Sequence, residues 1–97
     1  MIKIKAHIKL FEGDEKRTVP IENGYRPLFR FIEDTMVSGR IQILENCRIS
    51  PGDSSIVEIA FISNQFLGSN FRKGATFKFY EGLNSVGEGE ILEVLES

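Results

Sequence analysis

Few side chains in this chain could do chemistry, and their spacing tests each in turn. His7 and Cys47 are the only histidine and the only cysteine. A thiol nucleophile needs a base within hydrogen-bond reach. These two residues fall on different predicted strands, so they read as a surface imidazole and a half-buried thiol. Zinc sites draw on several histidines and cysteines, so no metal is expected. Glu88 and Glu90 lie two apart on a predicted strand and share a face. Paired carboxylates exchange protons usefully when buried together, but between glycines they read as a solvated acidic face. Gly52-Asp53-Ser54-Ser55 lacks the second glycine and the helix of a nucleophile elbow. Gly87-Glu88-Gly89 opens no helix and lacks the third glycine of a dinucleotide loop. The chain also has no phosphate-binding P-loop. No catalytic centre, no GTP hydrolysis and no cofactor are expected.

Positive charge is better organised. Lys3, Lys5, His7 and Lys9 alternate with apolar residues, so one strand projects a basic row. Such a row can follow a phosphate backbone, or it can be the solvated face of a first strand whose lysines discourage edge pairing. Arg26 and Arg30 share a face of a second, aromatic strand. Arginine beside aromatic rings is common at interfaces, so this pair is a candidate interface as well as framework.

The elements that must position these groups follow a period of two. Ile2, Ile4, Ala6, Ile8 and Leu10 form the apolar side of a strand over 2–10. A charged turn at 12–15 precedes a short strand over 16–21. Asn23-Gly24 turns the chain, because both residues tolerate positive φ. A strand over 25–32 sets Tyr25, Phe29 and Phe31 against Arg26, Leu28 and Arg30, with Pro27 marking an edge or bulge. Residues 33–38 read as a polar connection, and 40–44 as a strand with Ile41 and Ile43 inward. Pro51-Gly52 suits the centre of a type II turn. A buried central strand over 54–62, a loop over 63–70, and strands over 75–80 and 86–95 complete the chain. Gly87 and Gly89 argue against a helix near the C-terminus. Short strands separated by turn residues imply an all-β fold, a sandwich or a small closed barrel.

The 97 residues suffice for one domain without staples. No stretch approaches the roughly 20 apolar residues that span a bilayer, so no membrane association is expected. The first residues alternate like a strand and lack the apolar run of a signal peptide. With a lone cysteine, a reducing cytoplasm is the expected location. Net charge is −2, which weighs against a general nucleic-acid binder.

Three ordered motifs carry a resemblance: Gly24-Tyr25-Arg26-Pro27-Leu28-Phe29, the Pro51-Gly52-Asp53 turn, and Glu81-Gly82 followed by Val86-Gly87 and Gly89. In this order and spacing, over about residues 6–95, the chain resembles the C-terminal β-barrel domain, the third domain, of translation elongation factor Tu. The resemblance implies a closed antiparallel barrel of about six strands, here without the GTPase domain. Gly24, Tyr25, Arg26, Pro27, Pro51, Gly52, Asp53, Val86, Gly87 and Gly89 would be its framework. In that family the domain packs on a preceding barrel, faces the GTPase, and holds the T-stem of aminoacyl-tRNA. Carried over by position, the RNA-facing residues would be Arg17, Ser38, Glu81 and Gly82. The family's arginine–histidine–threonine triplet falls on Arg17, Thr18 and Val19, and its glutamine on Leu28. A glycine and an arginine of its last hairpin become Leu83 and Asn84. A lysine after the central strand has no basic counterpart in Ser63-Asn64-Gln65.

The framework is therefore kept, while most RNA contacts are changed. The expected function is a non-enzymatic binding module with a protein partner, either a translation GTPase or an unrelated protein. The alternative is a tRNA-binding barrel that keeps part of the T-stem surface, with Lys3, Lys5 and Lys9 adding charge. Phe29, Phe31, Phe77 and Phe79 are expected in the core. Replacing Phe77 by Ala should then cost roughly 3–5 kcal/mol in a denaturant titration. A loss under about 1 kcal/mol would place its ring outside.

Overall fold

A computed structural model describes residues 2–13, 19–45, 47–61 and 71–95. Six strands close into a barrel: β1 (Ile2–Leu10), β3 (Leu28–Ile32), β4 (Thr35–Ile43), β6 (Ser54–Phe61), β7 (Thr76–Glu81) and β8 (Asn84–Leu95). Their order around the barrel is β1-β6-β4-β3-β7-β8, every pair antiparallel. Two short strands, β2 (Ile21–Glu22) and β5 (Arg48–Ile49), pair with each other beside it. The all-β, closed-barrel expectation holds.

Alternation builds the interior. Ile4, Ala6, Ile8 and Leu10 of β1 are fully buried, and Val57, Ile59 and Phe61 of the neighbouring β6 lie beside them on the same inward face. Ile21 and Ile49, opposite each other in β2 and β5, join the same cluster. Six phenylalanines occupy much of the remaining space. Phe29 meets Phe61 edge-on at 5.3 Å and lies 5.7 Å and 5.8 Å from Phe77 and Phe79. Phe31, half-buried, contacts Phe71 at 5.1 Å and Phe77 at 5.4 Å. Edge-to-face and tilted pairs at these distances add to the area that the rings bury.

Rings this large fit because the residues opposite them are glycines. In the strand register Phe79 faces Gly87, Phe77 faces Gly89 and Phe61 faces Gly39. A Cβ on Gly39 would lie 2.6 Å from the Phe61 ring and 2.8 Å from that of Phe29. On Gly87 it would strike the Phe79 ring and lie 2.7 Å from the Lys9 carbonyl oxygen.

Turn chemistry closes the strands. The Ser50 carbonyl accepts from the Asp53 N–H at 2.9 Å around Pro51-Gly52, and Gly52 has φ +91°, as a type II turn requires. This turn is tied to the end of β1, since the Gly52 N–H donates to the Leu10 carbonyl at 2.8 Å. Gly24, at φ +92°, donates to the Ile41 carbonyl, and the Asn23 side chain accepts from the Ile43 N–H.

Four expectations need correction. Residues 33–38 are not a connection, because β4 begins at Thr35 and the reversal is only Glu33-Asp34. Asp34 allows it by adopting φ 62°, which aspartate tolerates better than most residues. The strand expected over 25–32 begins at Leu28, as Pro27 has no N–H for a ladder. Its preceding residues still lie along β4, with the Tyr25 carbonyl accepting from Ile41 and the Pro27 carbonyl from Gly39. The strand expected over 16–21 is seen only from Ile21, residues 14–18 being outside the described set, as is the loop expected over 63–70. Finally, Cys47 is exposed rather than half-buried, because it lies in the connection before β5 and outside the strand alternation.

The glycine–phenylalanine fit is directly testable. Gly87→Ala should lose about 1–3 kcal/mol of stability, in line with overpacked cores. The thermal midpoint should fall with it, and an unchanged midpoint would mean that the Phe79 ring yields freely.

Candidate binding groove on the outer face

The basic row of β1 does point outward: Lys3, His7 and Lys9 are exposed and Lys5 is partly so. Its setting differs from the expected edge strand. β1 pairs with β6 on one side and β8 on the other, so no edge exists for lysines to protect. Each outward side chain instead has a neighbour on both flanks. Lys5 lies between Glu58 and Glu93, His7 is opposite Glu90, and Lys9 is opposite Glu88. Opposite charges at such positions attract across the sheet. The row is therefore interleaved with carboxylates and is not a continuous cationic track.

The register continues past β8. Glu88 is opposite Lys78 on β7, and Lys78 is opposite Arg30 on β3. A single line across four strands thus reads Lys9, Glu88, Lys78, Arg30. One step along the strands, His7, Glu90 and Thr76 form a parallel line. Together with Tyr80 these residues line an open groove of about 670 Å³.

Tyr80 is the unusual member. It shares the outward parity of Thr76 and Lys78, yet the residue is only 8% exposed. Leu28 is its register partner on β3, and the Arg30 guanidinium lies 5.1 Å from the ring centroid. A cation at that range is attracted by the ring's negative face and is held in orientation by it. The β7–β8 register shifts at the same point, with Phe79 opposite Gly87 and Tyr80 opposite Ser85, so that Val86 is the bulged residue.

Other predicted site residues fall elsewhere. Arg26 is exposed, precedes β3, and does not line the groove with Arg30, so the two arginines are not one site. Ser38 is exposed on β4 opposite Leu28. Glu81 ends β7, where its carboxylate accepts a 2.7 Å hydrogen bond from the Tyr25 hydroxyl. Gly82 turns the β7–β8 hairpin at φ 63°, and Leu83 beside it is 94% exposed. Arg17 lies outside the described residues. Val86 and Gly87 are buried, and Gly89 is partly so. Glu88 and Glu90 are exposed on one face, as their spacing implies.

The groove itself was not legible in advance. Its cross-strand line joins residues 9, 30, 78 and 88, and only the barrel register brings them together. The available signal was that each belongs to the outward set of its strand. Among the described residues no three potential metal-ligating side chains cluster. No known protein-family model matches the chain.

The Tyr25–Glu81 bond ties the segment before β3 to the end of β7. A double-mutant cycle with Tyr25→Phe and Glu81→Ala should give a coupling of about 1 kcal/mol. Additive losses would mean that this bond contributes nothing to stability.

Proposed function

We propose that this protein is a non-enzymatic, protein-binding barrel of the elongation factor Tu C-terminal type. One observation carries the choice of protein over RNA: every outward lysine from Lys5 onward on β1 has a glutamate in the next strand. A phosphate backbone approaching this face meets Glu58, Glu88, Glu90 and Glu93 along with the lysines. Affinity for nucleic acid grows with the number of phosphates neutralised, and a checkerboard of both signs neutralises few. A protein surface, with its own mixture of charges, suits that pattern better.

The hairpin that would meet the T-stem also favours a protein. Its tip presents Leu83, almost fully exposed, where the family has a glycine. Glu81, the carboxylate kept from the family's motif, is engaged by Tyr25. The partner is a translation GTPase, a factor that binds one, or an unrelated protein, and a cytoplasmic setting fits the lone cysteine.

A tagged pull-down from native extract, split into nuclease-treated and untreated halves, tests this reading. A protein partner should survive nuclease treatment. Recovery of tRNA, with proteins lost after nuclease, would overturn it in favour of the RNA-binding alternative. In that event tRNA affinity should fall steeply with salt.

A further inference from the structure

The line across the groove contains an electrostatic conflict. Arg30 and Lys78 face each other directly in the β3–β7 register, and like charges at opposed positions destabilise a sheet. They do so where the barrel is held by a short ladder: the β3–β7 register runs only from Leu28 to Arg30. Glu88 is the carboxylate beside Lys78, but Lys9 is its neighbour on the other side. Arg30 is the remote end of the line and rests on the Tyr80 ring.

We infer that Arg30 and Lys78 form a receptor for a single carboxylate, supplied by an acidic side chain of the partner protein. The inference rests on the protein-binding reading above and names the chemistry of the contact. Three lines of reasoning support a lone carboxylate. The Arg30–Lys78 end of the line holds two cations and one adjacent carboxylate, Glu88, so one carboxylate balances that end. A guanidinium held beside an aromatic ring at 5.1 Å has N–H groups to spare beyond the ring contact, and a guanidinium can match a carboxylate with two parallel hydrogen bonds. Glu88 and Glu90 would repel the second and third charges of a polyanion, so a run of phosphates is disfavoured at the same place. Those two glutamates also define the neighbouring contact, a basic residue of the partner beside its acidic one. The ligand is thus an exposed segment in which an aspartate or glutamate lies next to a lysine or arginine.

Random-peptide display on the immobilised 97-residue chain tests the site. Arg30→Gln/Lys78→Gln serves as the comparison, since both side chains are exposed and their removal relieves repulsion. Circular dichroism and the thermal midpoint of this variant verify that it is folded. Peptides that pair an acidic with a basic residue should be enriched at least tenfold on the unaltered chain relative to the variant. Equal enrichment on both proteins, or none on either, would overturn the site. So would tRNA binding that the unaltered chain shows and the double variant loses, because that would assign the groove to phosphate. The nuclease-resistant pull-down reports on the broader reading separately. A partner retained equally by the variant would remove the groove and leave protein binding intact.

Discussion

Everything in this barrel follows from packing six phenylalanine rings together, four of them buried inside six strands. A barrel of that size has little interior volume, and packed cores tolerate no overlap. The rings fit because Gly39, Gly87 and Gly89 lie where the facing strands would otherwise add a Cβ. Glycine within a strand costs backbone entropy and loses packing area. Here the aromatic neighbour covers the gap, so the strand keeps a buried surface while the ring gains space. The long β8 can then run past both β7 and β1, and closure leaves no edge among the six strands.

Closure also decides what the outside is like. In an open sheet, a strand with alternating lysines at the edge would present a free cationic row. Within a closed barrel that same strand has partners on both sides, and their outward residues become part of its surface. Glu58, Glu88, Glu90 and Glu93 reach the lysine row in this way. The result is a patterned surface with both signs at strand spacing, which favours discrimination between partners over general attraction to polyanions. The departure from the pattern is Arg30 opposite Lys78, and there an aromatic ring supports one of the two cations.

The strand over 2–10, the Pro51-Gly52 turn and the inward isoleucines were all legible in the chain because they are local. Each depends on residues two apart or on the conformational range of one glycine or proline. The short β3–β4 reversal was not read from the sequence, since Glu33-Asp34 carries no glycine or proline to mark a turn and Met36-Val37 is too short an apolar run to mark a strand. Cys47 was misplaced for a related reason: burial was inferred from residue type, while the connection before β5 lies outside any alternation.

By itself the sequence determined the fold class and which side of each strand faces inward, because alternation and turn chemistry act within a few residues. It also supplied the candidate surface groups one strand at a time. Only the tertiary structure decided which of them meet. The register of β1 with β8, β8 with β7 and β7 with β3 joins residues up to 92 positions apart, as Lys3 and Leu95 are, with Lys9 and Glu88 79 apart. Register depends on how the whole set of rings and glycines packs, and a slip of one residue would turn every side chain to the other face. That dependence is why the lysine row could be read from the chain, while the glutamates that interleave it could not.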